Sequence, residues 1–305
     1  IALLASACTE KTPLTSGINI EGMNHNVRPQ DDFYEYANGG WLAATEIPAD
    51  EVGWGSYMTL RKESLEQSRA IVIEAAENPG SDTAKTMIGD YYNAYMDEDA
   101  IDEQGTTPIA ADLAAIDKLE THIDIAGYFG RSNAMGVDAP FNLYVGQDDK
   151  DATSYAMFFL QSGLGLPDRD YYIDQSERGL LIIEKYKTYI KELFAHIGEP
   201  KGAAAAQRIF ALESKLAAAQ WSKVDNRDAD KVYNKYTRAE LAALLSNLDL
   251  GQYPADIGAA ELDYAIVSQP SYMEEFNRLF QQTDVATWKD YLRLQLINSF
   301  APYLS

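Results

Sequence analysis

The chain predicts a mainly α fold, a multi-helix lobe that carries one small β-hairpin. Three observations predict it. Apolar residues recur at three- and four-residue spacing in block after block. The blocks are bounded by capping residues or by glycine and proline. The period falls to two only around residues 141–160. With 305 residues, 46% of them hydrophobic, the chain can bury a real core as one large or two ordinary domains.

Taken in order, residues 1–8 read Ile-Ala-Leu-Leu-Ala-Ser-Ala-Cys, an apolar stretch and then small residues ending at a cysteine. That is the pattern of a signal-peptide end and lipobox, with Cys8 as the lipidated residue. Residues 9–30 are polar and turn-rich and predict a tether. Asp31 or Asp32 caps a short helix carrying Phe33, Tyr34 and Tyr36, which Gly39-Gly40 is expected to end. Ser56 to about Ala76 reads as a long helix with Met58, Leu65 and Val72 on one stripe. Asn78-Pro-Gly stops it, and Ser81 or Asp82 caps the next, on which Met87, Tyr91 and Tyr95 recur. Further helices are expected from Pro108, and from Thr121 to about Phe129.

The alternation of 141–146 and 154–160 around Gln147-Asp-Asp-Lys-Asp151 predicts the hairpin. Two amphipathic helices follow. One carries Ile183, Tyr186, Ile190, Leu193 and Ile197, and the other runs from Ala203 to about Trp221 with Ile209, Leu212 and Leu216. Thr237-Arg-Ala-Glu240 is a capping box launching Leu241–Leu248. Asp263–Ser268 reads as a short strand halted by Pro270, and a last helix is expected from Thr283 with Trp288, Tyr291, Leu292 and Leu296. It is still apolar at Ser305 and reads as truncated.

Charge and composition exclude several functions. The net charge of −22 repels phosphate backbones, so nucleic acid is not an expected partner. No apolar run reaches 18 residues, so membrane contact is expected by lipid anchor only. Cys8 is the only cysteine, which excludes an internal disulfide and a thiolate metal cluster.

A hydrolytic zinc needs about three protein ligands and an open position. His25, His122 and His196 are the only histidines, none within four residues of another and none in a His-Glu-x-x-His pattern. No metal ligand and no catalytic residue is therefore expected in this chain. There is no Gly-x-Ser-x-Gly or P-loop. The acidic pairs Asp31/Asp32, Asp148/Asp149 and Asp168/Asp170 are expected to be solvated or capping. Asp97-Glu-Asp-Ala-Ile-Asp-Glu103 lacks the glycine and terminal glutamate of a calcium loop and reads as an acidic helix end. Tyr91, Tyr92 and Tyr95 are expected in the core, with a stacking platform for sugar or peptide as the alternative.

Several blocks nevertheless occur together in a telling order. They are Asp32-Phe-Tyr-Glu-Tyr-Ala-Asn-Gly-Gly-Trp41 followed by Ile47-Pro48, Leu60-Arg-Lys-Glu63, and Tyr92-Asn-Ala-Tyr-Met-Asp-Glu-Asp-Ala-Ile-Asp102. Val145-Gly-Gln-Asp-Asp-Lys150, Gly163-Leu-Gly-Leu-Pro-Asp-Arg-Asp-Tyr-Tyr172, Leu212-Glu-Ser-Lys-Leu216, Asn226-Arg-Asp228 and Tyr233-Asn-Lys235 follow. Over residues 29–305 the chain resembles the amino-terminal region of the neprilysin-like zinc peptidases, the M13 family with its bacterial PepO-type members.

The resemblance implies the amino-terminal lobe of a two-lobed zinc peptidase, with 31–55 packing on the catalytic lobe and 56–305 forming the helical lobe. That lobe gates a cavity open to oligopeptides. Zinc belongs to the parent enzyme, a zinc metalloendopeptidase. Its His-Glu-x-x-His helix and third ligand lie on a C-terminal catalytic lobe absent from this chain. The segment alone is then inactive, and its partners are oligopeptide substrates and that lobe. Arg61 matches a family arginine near the substrate and is the expected substrate-binding residue. Gly53 stands where the family carries an arginine that grips a terminal carboxylate, which puts a preference for free C-termini in doubt. Asn38 and Tyr95 stand where animal members have cysteines. With the lipobox, the expected place is the bacterial cell envelope, periplasmic or outer-membrane-anchored. The alternative is a surface lipoprotein that binds glycans or peptides and catalyses nothing.

Overall fold

A computed structural model describes residues 17–248 and 263–305, so the lipobox, Cys8 and residues 9–16 of the tether lie outside the described residues. The chain divides into two compact units, one ending at Met96 and one spanning Asp97–Ser305.

The first unit holds α1 (Phe33–Ala44), α2 (Ser56–Glu77) and α3 (Thr83–Met96). Asp32 is the cap of α1, its carboxylate accepting the Glu35 amide at 2.9 Å. The glycine pair does not end this helix. The 22–24 segment crosses it there, with the Asn24 amide donating to the Tyr36 carbonyl and the Trp41 amide to the Gly22 carbonyl. A Cβ on Gly40 would stand 2.9 Å from the Met23 carbonyl, so close approach is what the glycine serves. Asn78 closes α2 by donating its amide to Glu74, and Asp82 opens α3 by accepting the Ala84 amide at 2.8 Å.

The second unit begins with α4 (Glu98–Gln104), whose cap Asp97 accepts the Ala100 amide at 3.1 Å. The acidic run is therefore a helix start, with its charge at the positive end of the dipole. A 3₁₀ turn with Pro108 leads into α5 (Ala110–Asp117). Next comes α6 (His122–Ala134), opened by a Thr121–Asp124 capping box and one turn longer than expected. The hairpin is β1 (Phe141–Asp148) and β2 (Asp151–Gln161). It is half of a four-stranded sheet of order β1-β2-β4-β3, in which β3 (Lys235–Thr237) was not expected and β4 (Tyr264–Val267) runs parallel to β2.

The long crossover from β2 contains α7 (Asp170–Ile173), α8 (Glu177–His196), α9 (Gly202–Ala219) and α10 (Arg238–Leu244), the last launched by the Thr237–Glu240 capping box. Pro270 does more than halt a strand. It is the first residue of α11 (Pro270–Gln282), where its missing N–H costs nothing, and this helix was missed in the sequence. The final helix α12 (Val285–Phe300) is capped by Asp284, not Thr283.

Alternation along β2 sends Met157 and Phe159 into the main core and Ala156 and Phe158 to a smaller cluster with Ile266. The main core is aromatic: Phe129, Phe141, Phe276, Phe280 and Trp288 are fully buried and meet at ring separations of 5.5–6.3 Å, mostly tilted or edge-on.

Candidate functional site

Arg61 sits on the solvent side of α2, in its second turn. Met58, Arg61, Lys62 and Leu65 share one face of the helix, and the 48–54 loop brings Pro48, Asp50, Glu51 and Trp54 beside them. Together they enclose a cleft of about 190 Å³. The Arg61 side chain has no hydrogen bond or ion pair among the described residues. Its guanidinium is free to take a carboxylate or a peptide carbonyl, beside an indole and two acids that favour an amide or cationic neighbour. Gly53 lies on the same loop with nothing within 4 Å of where its Cβ would be, so a side chain there meets no steric bar.

The tyrosines expected in the core are elsewhere. Tyr91 is 67% exposed and Tyr95 46%, and with Val72, Met87, Ile88 and Tyr92 they line an apolar groove of about 390 Å³ on α2 and α3. The helix stripe is real, but among the described residues of the first unit no third element covers this face of the two-helix layer.

None of the histidines approaches a ligand set. His25 is edge-on to Tyr36, His122 bonds the Thr283 carbonyl through Nε2 at 2.8 Å, and His196 is exposed in the last turn of α8. Among the described residues no group of three His, Cys, Asp or Glu side chains could hold a metal.

Two acidic hubs went unread in the sequence. Asp148 was expected to be solvated or capping; it does cap the hairpin turn, but its side chain is fully enclosed there. It accepts the Lys150 amide at 2.8 Å, the Tyr233 hydroxyl at 2.9 Å and the Tyr264 hydroxyl at 2.7 Å, with Lys235 at 3.9 Å. The Lys150 amide above all, with both hydroxyls, holds its pKa down to about 2 in spite of desolvation. Glu213 is buried on α9 among Tyr172, Tyr186 and the Gly165 amide. Burial pushes its pKa up to about 7, against the pull of the tyrosine hydroxyls and the Gly165 amide. A signal existed for Glu213: it occupies the stripe of Ile209, Leu212 and Leu216, so a carboxylate had to enter the core. For Asp148 the Lys150 amide is a local turn partner, but the two tyrosines that enclose it are 85 and 116 residues away and leave no local signal. The other acids are as expected: Asp32 caps, while Asp168 accepts the Asp170 amide and pairs with Lys223.

The amino-terminal model of Peptidase family M13 matches residues 29–305. Endothelin-converting enzyme 1 of Cavia porcellus is 30% identical over 99% of this chain and 41% of its own length. The crystal structure of Mycobacterium tuberculosis zinc metalloprotease Zmp1 with an inhibitor superposes with a TM-score of 0.83 at 34% identity. It covers 96% of this chain and 45% of that one. PepO from Lactobacillus rhamnosis shares the fold, with a TM-score of 0.72 at 18% identity over 92% of this chain and 44% of its own. The chain thus spans less than half the length of these relatives.

Proposed function

This chain belongs to Peptidase family M13, and from that membership we propose that it is the substrate-gating amino-terminal lobe of a zinc metalloendopeptidase that hydrolyses oligopeptides. The observation that carries this reading is the close superposition of nearly the whole chain on just under half of a zinc metalloprotease. The described residues do not fit a catalytic zinc: no donor triad exists among them, and Nε2 of His122 is engaged by a backbone carbonyl. Metal and activated water accordingly belong to the C-terminal catalytic lobe, and residues 31–55 pack against that lobe.

What this chain contributes is recognition. Arg61 offers a bidentate cation to a peptide carbonyl or carboxylate in its cleft, and the 48–54 loop sets the width of that cleft. Cys8, once processed, holds the protein at the cell envelope by lipid, and no helix among the described residues is long and apolar enough to cross a membrane.

The purified chain is expected to bind no stoichiometric zinc and to cleave no peptide. Joined to a catalytic lobe carrying His-Glu-x-x-His, it is expected to do both. One tightly held zinc per isolated chain, found by metal analysis, would overturn the assignment. The exposure of Tyr91 and Tyr95 favours a second reading, a surface lipoprotein that binds glycans or peptides without catalysis. Reading the gene past Ser305 separates the two: a His-Glu-x-x-His codon run supports the peptidase, and a stop codon the binding protein.

A further inference from the structure

The segment from Gly163 to Ile173 is pinned by an unusual set of bonds. The Tyr291 hydroxyl donates to the Gly163 carbonyl at 2.9 Å, and the Gly165 amide donates to Oε1 of Glu213 at 3.2 Å. The Leu166 amide donates to the Tyr172 hydroxyl at 3.0 Å, which itself donates to Oε2 of Glu213 at 2.9 Å. From α8 the Tyr186 hydroxyl reaches both carboxylate oxygens, at 3.0 and 2.8 Å. A Cβ on Gly165 would run into the Tyr186 hydroxyl, so the backbone lies directly on the cluster. One fully buried carboxyl is therefore the hub that joins this segment, α8 and α9.

Among the described residues no cation offsets it. The charged side chains of the surrounding elements turn elsewhere: Arg208 of α9 to Asp290, Lys187 of α8 to Glu184 and the Phe210 ring, Arg169 to the Gln220 carbonyl, and Asp168 to Lys223. On α12, Arg293 pairs with Asp117 and Asp290, and Lys289 bonds the Asp117 and Leu119 carbonyls. The groups facing Glu213 are phenols (Tyr172, Tyr186 and, further off, Tyr291), all pushed above their ordinary range by burial and so retained as O–H groups. Ionised, Glu213 is a core carboxylate held by three neutral donors. Protonated, it carries no charge, and its own O–H donates to a tyrosine oxygen. The two forms use the same atoms with different energies.

We propose that Glu213, Tyr172 and Tyr186 form a proton-operated latch that clamps the 163–173 segment onto α8 and α9 when Glu213 is protonated and loosens it when Glu213 is ionised. The latch depends on the fold alone and not on the peptidase reading above. Opening lets the carboxyl return from about 7 to its ordinary value of 4.5. A raised acid stabilises the closed form at low pH and loses that stabilisation as pH climbs between those values, with no further change above them. The segment carries Arg169, which lines a cleft of about 450 Å³ with Trp221, Lys231 and Ser271, so loosening it also frees one wall of that cleft.

Infrared difference spectroscopy of the intact protein tests this directly. A neutral carboxylic C=O band is expected to persist at pH 6 and vanish by about pH 8. It should be absent in Glu213→Gln and kept in Asp138→Asn, which removes another carboxyl raised by burial. By hydrogen exchange, corrected for intrinsic rates, the opening constant at Gly165 and Leu166 should rise about tenfold per pH unit toward pH 7 and then level off. Glu213→Gln should be flat. Tyr186→Phe, which keeps the carboxyl and removes one donor, should move the midpoint upward. No titrating band in the wild type, a band that survives Glu213→Gln, or an unmoved midpoint in Tyr186→Phe would each overturn the latch.

Discussion

Trp288 links two separate sources of stability, and replacing it with phenylalanine measures both. Its ring is fully buried against Phe129, Phe276, Phe280 and Tyr291, and its indole N–H donates to the Phe280 carbonyl at 3.1 Å. That carbonyl lies in the last turn of α11, where helix geometry leaves it without an intrahelical partner. Trp288→Phe keeps an aromatic ring, so the lost burial and residual cavity cost about 1–2 kcal/mol. It also leaves a buried carbonyl unpaired, which costs about 1–3 kcal/mol more. The sum is roughly 3 kcal/mol, or a melting temperature lower by about 6–12 °C for a unit of this size.

Urea unfolding followed by far-ultraviolet circular dichroism and by fluorescence gives the difference, provided the slope is unchanged. Trp221→Phe is the control: Trp221 also donates its indole N–H, to Ser271 at 2.8 Å, but at a surface where water replaces the bond. Its cost should be about 0.5 kcal/mol. If Trp288→Phe cost no more than Trp221→Phe, the indole would not be satisfying an orphan carbonyl and the account of this core would be wrong.

Asp148 gives an acid limb. Its lowered pKa means its stabilisation is complete above about pH 4 and is lost as pH falls through about 2, so Asp148→Asn should flatten that part of a melting-temperature profile. Arg61→Ala, at an exposed helix position, should shift the melting temperature by no more than about 2 °C while raising KM several-fold in the joined two-lobe enzyme. Gly53→Arg should fold normally, because nothing occupies the space its side chain enters and its backbone is not left-handed. In the same enzyme it should lower KM for peptides with a free C-terminal carboxylate over their amides. An unchanged ratio would detach the 48–54 loop from recognition.

Helix ends were legible because a cap is decided within one turn. Asp32, Thr121 and Thr237 each offer an oxygen to an amide three residues on, and the structure uses all three. The hairpin and the stripes of α8 and α9 were legible for the same reason: their period is local. Pro270 shows where a local rule has two answers, since proline suits both the end of a strand and the first turn of a helix. The aromatic residues of 272–280 settled it by reaching Phe129, Phe141 and Trp288.

The sequence alone determined the helical class, the hairpin, the exclusion of a thiolate or His-Glu-x-x-His metal centre, and the family through motifs kept in order. Only the tertiary structure decided that β4 lies parallel to β2, that Asp148 and Glu213 are enclosed by distant tyrosines, and that Tyr91 and Tyr95 face outward. The physical reason is one of range. Propensity and capping act between neighbours along the chain. Burial, and every ionisation that follows from it, depends on which remote segment lies opposite.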